Sequence, residues 1–169
     1  MASTQPHDAT DHRVVRTAGK AGLGVAAAGI VVFNIAPFLN WVQMDGTDDR
    51  RTGYETDSLV PFIAYLGIGL LIAMAYAAKR ARRGQHRGLT LVSMAVALAA
   101  TLQAIAFALN PMGGLERGDA LSPQIGVFVA IIGAAIWAIG SGLLAKEVEG
   151  DDEPRNLDVR SSENRYDKA

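Results

Sequence analysis

The chain contains no cysteine. Disulfides, thiol catalysis, cysteine-ligated zinc and iron–sulfur clusters are therefore excluded. A more telling absence is local. Charged residues make up 20% of the 169 positions, yet stretches 21–42, 59–78, 89–109 and 125–145 contain none at all. A soluble domain needs a wet face on every helix or strand, so it spreads its charges. These four segments have no such face.

The same stretches lack the ionisable residues that pumps, voltage sensors and ion-coupled carriers place at mid-membrane. Catalytic groupings are missing too. His7, His12 and His86 have no paired acid or nucleophile at a recognisable spacing, so no triad or metal cluster is expected. The expectation is a protein without enzymatic activity and without a cofactor.

What is present is apolar length. At about 1.5 Å per residue, each uncharged stretch matches a hydrocarbon core of ~30 Å. In lipid, only helices and closed barrels satisfy their backbone groups, and runs this long and uniform suit helices. The first stretch is read as a retained helix, because Phe38-Leu39-Asn40-Trp41 is a poor cleavage context. The sequence therefore predicts an all-α fold, an antiparallel four-helix transmembrane bundle with spans at 21–42, 59–78, 89–109 and 125–145. Residues 1–20 form an N-terminal tail. Residues 146–169, polar and poor in apolar side chains, form a disordered tail that cannot bury enough surface to offset the entropy of ordering.

Charge asymmetry orients the chain. Lys79, Arg80, Arg82, Arg83 and Arg87 lie between spans two and three with no acid among them, whereas Asp45, Asp48, Asp49, Glu55 and Asp57 dominate the loop before span two. Glu116 and Asp119 outnumber Arg117 in the last loop. Basic residues flanking spans stay in the cytoplasm, which places both termini there and both acidic loops outside. The basic loop at 79–88 should also attract anionic lipid headgroups. A basic stretch beside a span is thereby accounted for, and nucleic-acid binding is not expected. Phe38, Trp41 and Phe62 fall near the outer boundary and Tyr76 near the inner one, as interfacial aromatics do. Trp137, well inside span four, reads as a packing residue.

Small residues suggest how the helices meet. Gly126, Ala130, Ala134, Ala138 and Gly142 recur every four residues in span four. Small side chains let backbones approach closely in lipid, either within the bundle or against a partner. Shorter rows occur at Gly69, Ala73 and Ala77, and at Ser93, Ala97 and Thr101. Asn34 and Gln103 are the buried polar candidates, expected to hydrogen-bond across helices. Pro37 could kink span one, whereas Pro61 and Pro123 mark the starts of spans two and four. The loop Asp45-Gly46-Thr47-Asp48-Asp49 does not have the spacing of a helix–loop–helix calcium site and reads as solvated. Ile35-Ala36-Pro37-Phe38-Leu39-Asn40 is similar to Ile105-Ala106-Phe107-Ala108-Leu109-Asn110, which suggests a duplicated hairpin.

Phe38-Leu39-Asn40-Trp41-Val42, Gly53-Tyr54-Glu55-Thr56-Asp57-Ser58-Leu59-Val60-Pro61 and Gln85-His86-Arg87-Gly88-Leu89 resemble uncharacterised small four-span integral membrane proteins of actinobacteria, over roughly residues 20 to 150. The resemblance implies a multi-pass protein of the bacterial plasma (inner) membrane. It transfers no activity and no site residues. The leading expectation is an accessory or scaffolding subunit that associates with another membrane protein or with itself. A small oligomeric transporter or channel, and a membrane sensor with extracytoplasmic loops, are the alternatives.

Overall fold

The structure is a computed structural model that describes residues 20–56, 59–80, 83–111 and 121–149, with the backbone alone at 79–80, 83–85 and 147–149. The chain is mostly helical. Four long helices run over Ala21–Ile35 (α1), Val60–Arg80 (α2), Arg83–Leu109 (α3) and Ile125–Glu149 (α4). α2, α3 and α4 each contain a segment long and apolar enough to cross a membrane, as does Ala21–Phe38, which takes in α1 and the short turn after it, and no more than 50% of any such segment is buried inside the protein. The remainder presents Val31, Ile68, Ile72, Leu98, Leu102, Ile132 and Ile139 outward. Apolar surface on that scale is foreign to a water-soluble monomer and suits a lipid surround.

The end of the first span departs from expectation. α1 stops at Ile35, a short 3₁₀ turn covers Ala36–Phe38, and Asn40–Met44 form a β-strand (β1). Pro37 has no amide proton to continue the helix ladder, so here it ends α1 instead of kinking it. β1 pairs antiparallel with Arg50–Thr52 (β2) on one side and Leu121–Pro123 (β3) on the other. Gly46, at φ +80°, supplies the left-handed residue in the turn between β1 and β2. This three-stranded sheet caps the end where α1 finishes and α4 begins. Val42 opposes Arg51 in β2 and Pro123 in β3. Gln124 donates its backbone N–H to the Trp41 carbonyl at 2.9 Å, leading the chain from the sheet into α4.

α2 and α4 begin where prolines were read as start signals. Pro61 lies in the first turn of α2, where a missing amide proton costs little, and Pro123 closes β3 just before α4. α4 packs most extensively, against α1 and α3, while α2 meets α3 and α1 over smaller interfaces. The core consists largely of alanines: Ala26, Ala64, Ala97, Ala100, Ala104, Ala130 and Ala134 are all buried, around Phe33 and Trp137. The tails at 1–19 and 150–169, and the acidic stretch around Glu116 and Asp119, lie outside the described residues.

Candidate functional site

The tightest feature is the crossing of α1 and α4. A Cβ built on Gly29 would meet the backbone of Trp137 and, at 2.8 Å, the Gly133 carbonyl oxygen. Built on Gly133, it would meet the backbone nitrogen of Phe33 at 2.6 Å. Gly140 presses on the backbone of Ala26, and Gly22 on that of Leu144. These pairs ascend α1 while descending α4, so the two helices run antiparallel. Gly22 and Gly29 in α1, and Gly133 and Gly140 in α4, each recur after seven residues. A heptad row drifts only ~20° around a helix, so it stays on one contact line.

The sequence-derived row in α4 has a different fate. Gly126 abuts Trp41 and the Asn40 carbonyl oxygen, at 2.8 Å from a built Cβ. Ala130 and Ala134 are fully buried and Ala138 nearly so. Gly142 faces the Met94 sulfur of α3, at 3.3 Å from a built Cβ. Steps of four advance about 40° beyond a full turn. The row therefore wraps from the sheet at one end to α3 at the other and does not form one face.

Trp137 reaches across the core from α4. Its ring lies 6.1 Å from Phe33 of α1 in a tilted arrangement, and Gly67 of α2 leaves room for its far edge, 3.1 Å from a built Cβ. Its Nε1–H donates to Ser93 Oγ of α3 at 2.9 Å, and Ser93 Oγ lies 3.0 Å from Ser141 Oγ of α4. All three side chains are fully buried. One indole and two hydroxyls thus satisfy one another away from water, as buried polar groups must. His86, in the first turn of α3, is only 5% exposed, and neither ring nitrogen has a hydrogen-bond partner among the described residues. His86 does not engage either serine. The described residues hold no group of three or more His, Cys, Asp or Glu side chains placed to bind a metal ion.

At the capped end, Trp41 is fully buried, which corrects its reading as an interfacial aromatic. Its Nε1–H donates to the Ala36 carbonyl at 2.7 Å, and its ring meets Phe107 edge-on at 5.2 Å. Trp41 therefore pins the sheet onto α3 and α4. Phe38, Phe62 and Tyr76 are exposed. Tyr54 packs against Phe38 with tilted rings, 4.9 Å between centroids, and shares a 3.1 Å hydroxyl–hydroxyl hydrogen bond with Tyr65. That bond, with slight desolvation and the Tyr65 charge, holds the Tyr54 phenol above its ordinary value of 10.0. Glu55 Oε2 accepts from the Thr52 backbone N–H at 2.8 Å and the Thr52 hydroxyl at 2.9 Å. The two bonds from Thr52 hold the Glu55 carboxyl below its ordinary value of 4.5.

Among the described residues, neither Asn34 nor Gln103 hydrogen-bonds to another helix. Asn34 Nδ2–H donates to the Ile30 carbonyl one turn back in α1, at 2.8 Å, and the residue is half-buried. Gln103 is exposed on the outer surface of α3 and is not part of the interior. Of the basic loop, Arg87 is exposed; Arg82 and the side chains of Lys79, Arg80 and Arg83 lie outside the described residues. Sequence reading missed the Gly22/Gly29 and Gly133/Gly140 seam, whose spacing of seven was the available signal. It also missed the Ser93–Ser141–Trp137 cluster, which has no signature because its members come from different helices. No protein-family model, curated protein or solved structure matches the chain.

Proposed function

We propose that the chain is a non-catalytic accessory or scaffolding subunit of a membrane-protein assembly. In this reading it spans the bacterial plasma membrane as an antiparallel four-helix bundle with both termini cytoplasmic. The basic loop at 79–88 rests on anionic headgroups, and Arg87 stands exposed where such contact would occur. The bacterial setting follows the resemblance to four-span actinobacterial proteins and the positive charge of that loop.

One observation carries the reading. The interior is closed by direct packing of glycine and alanine, and the buried Ser93 and Ser141 hydroxyls and Trp137 indole are engaged with one another. A carrier or pore needs a polar lining exposed to its pathway. Here Asn34 is engaged within its own helix and Gln103 faces outward. The ordered β1–β2 hairpin is the feature that favours a sensor, but Trp41 fills the space beneath it.

Purified protein reconstituted alone into liposomes tests this. The scaffold reading expects potassium and proton permeability equal to that of empty liposomes. It also expects a membrane protein to copurify at fixed stoichiometry in mild detergent, and to lose abundance or assembly when this chain is deleted. Gradient-driven flux through the purified protein would replace scaffold with channel or carrier.

A further inference from the structure

The outward surface of α3 divides into two sectors. Leu91, Leu98, Leu102, Ile105 and Leu109 form one, all exposed and all bulky. Val92, Val96, Ala99, Gln103 and Ala106 form the other, spaced alternately four and three residues apart. All are exposed except the half-buried Val96. This spacing is that of a helix–helix seam, and its small members let a second backbone come close.

Gln103 makes that seam more than a row of small residues. Its carboxamide makes no hydrogen bond among the described residues. At about 1.5 Å per residue it lies ~9 Å below the outer end of α3 at Leu109, inside a hydrocarbon layer ~30 Å thick. Acyl chains offer neither donor nor acceptor, and an unpaired amide there is strongly unfavourable. The position calls for a polar partner at the same depth.

We propose that this sector of α3 is the contact between two copies of the chain, paired through Gln103. The proposal rests on the membrane-spanning reading. Copies inserted with the same orientation are related by a two-fold axis along the membrane normal. That axis brings each seam residue opposite its own equivalent at equal depth. A carboxamide carries both donor and acceptor, so Gln103 satisfies Gln103 of the second copy reciprocally. Ala99 and Ala106, one turn to either side, allow the approach. A different partner would need its own polar group at that depth, whereas a second copy carries one by construction.

The absence of cysteine makes the test direct. Ala99→Cys and Ala106→Cys, which keep Gln103, are oxidised in native membranes beside Leu98→Cys and Leu102→Cys. Disulfide-linked dimers are expected for the first pair and not for the second. Gln103→Leu should weaken dimerisation about tenfold, read by single-molecule photobleaching across a lipid dilution series. Gln103→Asn should weaken it less. Equal crosslinking of both sectors, crosslinks to some other protein, or undiminished pairing of Gln103→Leu would overturn the proposal. Protein that resists alkaline extraction yet stays monomeric sinks the dimer and leaves the membrane reading intact. Protein released by alkaline extraction sinks both.

Discussion

α1 and α4 touch backbone to backbone, whereas α2 meets its neighbours more loosely. Both regions are rich in small residues, so composition does not separate them. Spacing does. Gly22 and Gly29 lie on one line of α1 and fit between the turns of α4, where Gly133 and Gly140 answer them. In α2, Gly67 faces Trp137 and Ile30, while Gly69, two residues on, has nothing near a built Cβ. Residues two apart on a helix point in widely different directions and cannot build a shared face. A glycine is therefore structural in this protein when its partner recurs after seven residues, and dispensable when it stands alone on an outer surface.

Substitutions along these two regions sharpen the contrast. Gly29→Leu or Gly140→Leu forces a side chain into the backbone of the facing helix, and the helices must separate. A loss of more than about 3 kcal/mol is expected, beyond ordinary overpacking because the obstacle is backbone. Gly69→Leu, facing open space, should change stability by less than about 0.5 kcal/mol. Thermal denaturation in one detergent would show both, and similar losses at the two sites would erase the distinction drawn here.

The α3–α4 interface lies between these extremes. Ser93 accepts from Trp137 and shares a hydrogen bond with Ser141, so Ser93→Ala strands a buried indole N–H. It should cost about 1–3 kcal/mol, and more than Ser141→Ala, which leaves the indole bond in place. Equal costs would mean that the indole bond contributes nothing. His86→Leu should have the smallest effect and of the opposite sign, neutral to stabilising by up to ~1 kcal/mol, because it removes two unsatisfied buried nitrogens. A marked loss of stability on that change would show that the His86 imidazole makes a stabilising contact.

The existence of four apolar helices was legible from charge-free length alone. The starts of α2 and α4 were legible from Pro61 and Pro123. The end of α1 was not, because Asn40-Trp41-Val42 is as apolar as the helix before it, and only its pairing with two strands makes it extended. β2 and β3 have three residues each, too few for a periodic signal. The likeness between Ile35–Asn40 and Ile105–Asn110 does not carry into conformation. Pro37 turns the first segment into the sheet, while the second stays helical to Leu109. Gln103 was expected inside because polar residues in spans usually are. Burial depends on which side of α3 meets α4, and a single helix sequence does not encode its neighbour.

The central claim is that these helices carry the chain from one side of a bilayer to the other. Asp48→Cys in the β1–β2 turn and Glu149→Cys at the end of α4 place single thiols at opposite ends of α4 in a cysteine-free chain. Labelling with a membrane-impermeant maleimide should mark position 48 in intact cells and position 149 only after permeabilisation. Labelling of both positions in intact cells, or protection of both until the membrane is opened, would contradict the account.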